Sequence, residues 1–578
     1  MTRYGSDLVV DLLRARGIRY ASLNPGSSFR GLHDSIVNHG GNEPELILCP
    51  HEKVAVGLAH GYAKASGEPM AAILHDVVGL LHGAMGIYYA FIDRAPVLVL
   101  GGAGPMDTTR RRPNIDWIHS ANVQGNAVRD FTKWDDQPAT IPSIPGSLLR
   151  ALRVATAEPS GPVYVALDAG LQEDEAPEDL VVPDPATFAT PSSIGAEPAA
   201  LRRLAETLVA AERPVIVPGY VGRDPGAFEL LPQLAELLGA GVVDTGIRLN
   251  VPNRHPLTVT GTDAVEHADL VFFVDVKDMG KPTQRLESST RTIRSRVPEG
   301  ARVVDLGFND IGISAWSHDF AQLLPTDLEV TGDAAAALPA LVELVRTGVE
   351  GEDAARAGTR TRRREEVEAL HDRTWGDWAE RARAAAEETP VSTARLAAGV
   401  WEAIREHDWV LTAGTASDWA LRLWDFDRPY RHAGRSLGTA TQIGISLGVG
   451  LAHRDAGRLV VDLQPDGDLM FDLGALWVAS YHRIPMLVVM FNNRAYYNDW
   501  EHQERIARLR ETPIENSWIG MEIDRPAPDF AGIARSLGWH AEGPIERPDD
   551  LSDALSRAVA VVTEDRKPAL VDVVCQRR

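Results

Sequence analysis

Cysteine is the scarcest resource of this chain: Cys49 and Cys575 are the only two in 578 residues. That excludes a disulfide framework and fits a reducing, cytoplasmic setting. No His/Cys grouping has the spacing of a zinc site. Long apolar runs are missing as well. Stretches such as Met486 to Phe491 are far too short to span a bilayer. The amino-terminal MTRYGSDLVVDLLRARG lacks the apolar centre of a signal peptide and reads as an amphipathic helix. Positive charge is in deficit, 58 Lys and Arg against 81 Asp and Glu, for a net charge of −23. Nucleic acid and anionic membranes are therefore poor partners. There is no short-period repeat and no low-complexity tract. With 44% hydrophobic and 24% charged residues the composition is that of a globular protein, and the length suggests about three or four domains.

What is present is organised around Leu459 to Asp499, which reads as strand, tight turn, helix, strand and loop. Leu459 to Leu463 is a β-branched and apolar run, broken by Pro465-Asp466-Gly467-Asp468. Apolar residues then recur at helical spacing from Leu469 to about His482, where Pro485 ends the helix. Pro485 to Phe491 is a second strand, closed by Asn492-Asn493. A strand-helix-strand unit of this length gives a parallel pair with a right-handed crossover. Asp466 and Asn493 then lie just past the carboxyl ends of neighbouring strands, where open α/β sheets bind ligands. The helix starting near Asp468 or Leu469 aims its amino terminus at the same spot, a place for phosphate. A carboxylate, an amide oxygen and a helix amino terminus make half of a magnesium-diphosphate site. The plain alternative is an Asp-Gly turn and a polar loop.

The pattern Gly-Asp-Gly, about 25 residues, then Asn-Asn resembles the signature of thiamine-diphosphate enzymes, here as Pro465-Asp466-Gly467 and Asn492-Asn493. The resemblance implies that Asp466, Asn493 and the backbone carbonyl of Ala495 hold Mg2+. Gly467, Asp468 and Leu469 would then face the diphosphate. Pro465 replaces the first glycine, which implies a changed turn, and Asp468 stands where the family often has a hydroxyl residue. A second carboxylate there is unfavourable unless it faces the metal or caps the helix. The family's amino-terminal mark is similar to His51-Glu52…Ala55…Ala59-His60-Gly61-Tyr62-Ala63. It implies that Glu52 meets N1′ of the cofactor's aminopyrimidine, a task that needs a sheltered carboxyl. Otherwise Glu52 is a helix-start carboxylate. Leu74-His75-Asp76 and Ala84-Met85-Gly86, with Asn24-Pro25-Gly26-Ser27, resemble benzoylformate decarboxylase. By that likeness His75 moves protons and Ser27 holds the substrate carboxylate, with His82 and Ser28 as their neighbours and rivals; a structural role is the alternative for each histidine. Thr415 and Ala416 fall in the loop that contacts the diphosphate in the family. Gly438 belongs to Leu437-Gly438-Thr439, similar to the segment before the residue that bends the cofactor.

The resemblance covers nearly the whole chain and implies an α/β fold of three doubly wound parallel-sheet domains. These are a pyrimidine-binding domain over 1–175, a central domain over 198–345 and a diphosphate- and Mg-binding domain over 391–578. Residues 171–197 read as a linker, and 347–390 as a charged connecting helix or two. The central domain has no Gly-x-Gly-x-x-Gly, and Val259-Thr260-Gly261 is shorter than the family's flavin-contacting loop, so no FAD is expected. Arg110, Arg111 and Arg112 are read as a solvated loop or a carboxylate clamp. The aromatic residues Tyr88, Tyr89, Trp117, Tyr496, Tyr497 and Trp500 are read as a sizeable pocket or as core. The activity implied is thiamine-diphosphate-dependent cleavage or formation of a bond next to a carbonyl, as a 2-oxo acid decarboxylase or lyase. The alternatives are an acetolactate-synthase-like carboligase without functional FAD, or a cofactor-binding partner with no chemistry. The resemblance also implies a homodimer or homotetramer with Glu52 and Asp466 meeting across subunits.

Overall fold

The computed structural model describes residues 3–112, 116–287, 289–308, 323–412, 414, 416–434 and 439–577, apart from the side chain of Trp117. Three parallel sheets follow one another along the chain. The first contains β1 (Tyr20–Leu23), β2 (Glu45–Leu48), β3 (Met70–Leu74), β4 (Val97–Ala103), β5 (Trp134–Asp136) and β6 (Val163–Asp168), in the order β2-β1-β3-β4-β6-β5. Runs such as MAAIL and VLVLGGA are buried along their full length, as strands covered on both faces must be. Helix α1 (Glu52–Ser66) follows β2. His51 caps it, with Nδ1 accepting the Lys53 N–H at 3.0 Å, and Gly67 closes it at a φ of +75°. Helix α2 (Asp76–Ile92) follows β3, and the single turn α3 (Asp116–His119) lies in the loop after β4.

The second sheet runs β13-β12-β9-β7-β8, from β7 (Pro214–Pro218), β8 (Gly241–Val242), β9 (Leu270–Val274), β12 (Arg302–Gly307) and β13 (Leu328–Thr331). An exposed antiparallel hairpin, β10 (Gln284–Glu287) with β11 (Thr292–Ser295), is inserted before β12. The charged connector is one 31-residue helix, α4 (Ala354–Ala384), of which only His371 and Ala382 are buried. The third sheet runs β14-β15-β16-β18-β17, from β14 (Trp409–Leu411), β15 (Leu459–Pro465), β16 (Leu487–Asn492), β17 (His540–Ile545) and β18 (Ala569–Val574), with α5 (Gln442–Ala452) leading into β15.

The helix expected over 469–482 is not continuous. It consists of α6 (Asp466–Leu469), a short 3-10 turn (Leu473–Ala475) and α7 (Leu476–Tyr481). The break falls at Asp472, whose backbone leaves helical space (φ −142°, ψ 47°) while its carboxylate pairs with Lys53 at 2.8 Å. An ion pair to another domain thus overrides helical periodicity.

The first and third sheets share one core. It is sealed where α1 crosses α5 backbone to backbone. A Cβ on Gly61 would lie 1.9 Å from the Ile445 carbonyl oxygen, one on Gly448 would lie 2.0 Å from that of Leu58, and Gly57 faces Gly444. The first and second sheets meet through a charged knot. Arg94 and Arg223 both bond Asp275 at 2.6 Å, and Arg223 also bonds Glu158 at 2.7 Å and Asp333 at 2.6 Å.

Gly61→Ala is expected to cost about 2–3 kcal/mol by overpacking, because its new carbon meets backbone that has no rotamer to yield. Gly146→Ala, in a helix with nothing within 4 Å, is expected to be neutral or to stabilise by up to about 1 kcal/mol. Chemical denaturation midpoints of the two variants check both outcomes.

Candidate active site

Strands β15 and β16 pair in parallel with Pro465 opposite Phe491, so Asp466 and Asn493 emerge side by side at the carboxyl edge of the third sheet. The Asp466 side chain is buried. Its Oδ1 accepts the Gly467 N–H at 2.8 Å, while its Oδ2 has no hydrogen-bond partner among the described residues. Burial pushes its pKa up to about 7, against the pull of backbone N–H groups from Gly467, Arg494 and Ala495. Asn493 Oδ1 accepts the N–H of buried Ala495 at 3.1 Å. An unpartnered, buried carboxylate oxygen is costly. A hard cation relieves that cost, and the all-oxygen donor set suits Mg2+. These residues fit the metal that the sequence implies.

Gly467 has no room for a side chain, since a Cβ there would lie 2.8 Å from the Tyr496 ring. Leu469 sends its side chain into the shared core and leaves only backbone for a phosphate. Asp468 turns away from the Asp466 edge. Its Oδ1 accepts the Ala440 N–H at 2.5 Å and its Oδ2 accepts from the Gln464 amide at 3.3 Å, so the carboxylate caps the start of α5. Of the two ways an aspartate there is tolerable, the structure has the cap, although the helix capped is α5 rather than its own. Ala416 packs at the rim of the core behind β14. Thr415 and Gly438 lie outside the described residues. Because α6 is one turn long, a helix dipole adds little for phosphate here.

Glu52 opens α1 and its side chain is only 8% exposed. It rests on Gly79, where a Cβ would lie 3.2 Å from its Oε1. Its Oε2 is 3.4 Å from Nδ1 of His82, whose ring stacks on His51 at 5.2 Å. His51, Glu52 and His82 thus converge from two segments, with ligating atoms within 4.8 Å of one another, a grouping that linear spacing did not show. Lys53, next in line, makes the pair with Asp472, so the start of α1 lies beside the segment that follows Asp466 within one chain.

His75 ends β3. Of the two serines, the structure brings Ser28 rather than Ser27 to it: Ser28 Oγ is 2.9 Å from His75 Nδ1. Ser27 offers its carbonyl to Arg112 at 3.4 Å. Gly26 makes this possible, because a Cβ there would lie 2.3 Å from that of His75. Asp76 is buried at an unusual φ of +45°, and burial pushes its pKa up to about 6. The three arginines are engaged within the domain. Arg110 forks onto Asp174 at 2.6 and 2.7 Å, Arg111 bonds the Pro105 carbonyl at 2.7 Å, and Arg112 pairs with Asp116 at 2.8 Å. His119 meets the His75 ring edge-on at 5.3 Å. In the sequence His119 carries no signal beyond being a titratable residue a few positions after Arg110, Arg111 and Arg112.

Asp468→Ala is expected to speed amide hydrogen exchange at residues 440–442 by about ten- to hundredfold, because unpairing buried N–H groups costs about 1–3 kcal/mol. Exchange mass spectrometry against wild type reads this locally.

Residues 3–125 match the thiamine pyrophosphate enzyme N-terminal TPP-binding domain and residues 412–573 its C-terminal TPP-binding domain. Benzoylformate decarboxylase of Pseudomonas aeruginosa is 26% identical over 582 residues, covering 98% of each chain. Glyoxylate carboligase of Escherichia coli O157:H7 is 25% identical, covering 99% of this chain and 93% of that one. In fold, the chain is similar to the thiamine diphosphate-dependent 4-hydroxybenzoylformate decarboxylase of Rhodococcus jostii RHA1. That structure has a TM-score of 0.74 at 20% identity, with 100% of this chain and 99% of that one covered. The TPP-binding domains at both ends, with the Asp466–Asn493 edge in one and Glu52 in the other, show that this chain belongs to the thiamine pyrophosphate enzymes.

Proposed function

We propose that this chain is a Mg2+- and thiamine-diphosphate-dependent decarboxylase or lyase of a 2-oxo acid. The observation that carries the reading is the buried Oδ2 of Asp466, without a hydrogen-bond partner among the described residues, beside Asn493 in a chain that also shelters Glu52. Asp466, Asn493 and the Ala495 carbonyl would hold the metal. The backbones of Gly467, Asp468 and Leu469, with Ala416, Thr415 and Gly438, would border the diphosphate. Glu52 would hold the aminopyrimidine, with its proton kept from water by Gly79 and the packed start of α1. The cofactor, when bound, supplies the carbon nucleophile that attacks a carbonyl. His75, with His82 at Glu52, would line the approach, and Ser27, or Ser28 beside His75, would hold the substrate carboxylate.

Decarboxylation is favoured over ligation by the loops around Ser28 and His75, which resemble benzoylformate decarboxylase. The match to a glyoxylate carboligase supports joining to a second carbonyl compound as the other reading. The reading needs no flavin. At the switch point between β7 and β9, where such a sheet takes a nucleotide, the Arg94 guanidinium lies 4.3 Å over the Tyr220 ring and bonds Asp275. The two cysteines are free and buried, which accords with a cytoplasmic setting. Among the described residues no helix is long and apolar enough to cross a membrane. A homodimer or homotetramer is part of the proposal, with Glu52 of one subunit serving the Asp466 of another.

Carbon dioxide release from pyruvate, branched-chain 2-oxo acids and benzoylformate, with cofactor and Mg2+, tests the reaction. Glu52→Gln is expected to lose at least about a hundredfold in kcat while calorimetry still shows cofactor binding; full activity would remove Glu52 from the role. Treatment with EDTA is expected to abolish activity and Mg2+ to restore it, and Asp466→Ala should escape that rescue. Mixing Glu52→Gln chains with Asp466→Ala chains is expected to regain activity if sites form between subunits, since one site of each mixed pair is then intact. No recovery would place both residues in one subunit.

A further inference from the structure

The third sheet has a second polar edge, opposite the one that carries Asp466. Strands β16 and β18 pair in parallel with Leu487 beside Ala569, so the segments that enter them bring Arg483 and Arg566 to the same amino edge. A groove of about 840 Å³ lies between these entries, α7 and the first residue of β2, within the size range of small-molecule sites. Its positive charge is not cancelled locally. Arg454 is satisfied by both oxygens of Glu45, at 2.7 and 2.9 Å. Arg483 has no ion pair or hydrogen bond among the described residues, and Arg566 bonds only the Arg454 carbonyl. Lys567 comes no nearer than 4.0 Å to Asp565. Arg483 and Arg566 both hold left-handed backbone, at φ +53° and +56°, where a residue with a side chain sits at a cost. In a chain of net charge −23, a wall with two arginines that lack carboxylates attracts an anion. Neutral donors meet at the same wall. The Leu48 N–H donates to His482 Nε2 at 2.8 Å, so the neutral ring carries its proton on Nδ1. That Nδ1–H has no acceptor among the described residues, and the buried Oγ of Ser480 has no partner either. Tyr481 supplies a flat surface. Trp477 stacks on its ring at 4.5 Å, and the residue is still 58% exposed, which leaves room for a second planar ring.

We propose that this groove binds a nucleoside monophosphate, with the phosphate between Arg483 and Arg566 and the base against Tyr481. Arginine forks match phosphate oxygens, and the Nδ1–H of His482 and the hydroxyl of Ser480 are the neutral donors beside them. The site is at the edge of the sheet opposite to Asp466 and Asn493, so it is distinct from the place of the thiamine diphosphate. It stands independently of the decarboxylase reading. His482 also joins two domains. It follows α7 in the third and bonds the last residue of β2 in the first, and β2 leads through Cys49, Pro50 and His51 into Glu52. An anion that accepts from Nδ1 makes Nε2 a stronger acceptor for the Leu48 N–H, so occupancy of the groove tightens that joint.

Calorimetric titration of the cofactor-saturated protein tests the site, with adenosine monophosphate, adenosine and inorganic phosphate as separate probes. The monophosphate is expected to bind once per chain, phosphate more weakly and adenosine more weakly still, and added salt is expected to lower the affinity. Combining Arg483→Gln with Arg566→Gln is expected to weaken the monophosphate by about tenfold or more, since each change removes a charged hydrogen bond. Both side chains are exposed, so the fold does not depend on them. Tyr481→Ala is expected to weaken the monophosphate by about two- to tenfold and to leave phosphate unchanged. Hydrogen exchange at Leu48 is expected to slow on binding in wild type. Wild type that takes up no adenosine monophosphate in the millimolar range overturns the proposal, as does binding that survives the double arginine change. A monophosphate held no more tightly than phosphate overturns the role of the base, and bound ligand with unchanged exchange at Leu48 overturns the joint through His482.

Discussion

The contact that ties the first and third sheets of one chain together is the crossing of α1 and α5 through Gly57, Gly61, Gly444 and Gly448. Side chains normally hold helices 8–10 Å apart, and here hydrogens stand where Cβ atoms would be. The approach fixes how far α1 lies from β15. Glu52 is the first residue of α1, and Asp466 follows β15 at once. Each is carried on rigid backbone, so their placement follows from a packed interface and not from loop conformation. Asp468 reinforces the same joint from the other side by capping α5.

Negative charge gathers behind that edge. Asp462, within β15, is fully buried, and burial pushes its pKa up to about 7 against the pull of hydrogen bonds from Gln442, Ser446 and Thr412. With Asp466 beyond it, the free protein holds two acids that gain little from ionising alone. A divalent cation at Asp466 would change that balance for both, one by contact and the other through a low-dielectric interior.

The architecture was legible where a local pattern and the fold agree. The buried runs of β3, β7, β9, β15 and β16 announce parallel strands. Asp466 with Asn493 could be placed at one edge because strand direction alone decides it, and Glu52 because it follows a strand and starts a helix. What stayed hidden depends on distant partners. The break at Asp472 comes from Lys53, far away in sequence. The contact of Ser28 with His75 exists because Gly26 lets the ring in. The direction of Asp468 is set by N–H groups at the start of α5. His119 lies in a passage with no periodicity, so its contact with His75 exists only in three dimensions. The hairpin β10-β11 is exposed on both faces and has no apolar alternation to betray it.

The knot around Asp275 gives the middle sheet a different vocation from its neighbours. In an open α/β sheet the switch-point crevice is the one place where the polar ends of strands face a gap, and a gap admits visitors. Here the end of α2 and the turn after it enter the crevice: the Tyr220 hydroxyl donates to the Ile92 carbonyl at 2.8 Å, and Arg94 bonds Asp275 at 2.6 Å. The recognition edge of one domain has become the mortise of another. The strand-end polar groups of the middle sheet thus join two domains, Asp275 holding Arg94 from the first and Arg223 from its own.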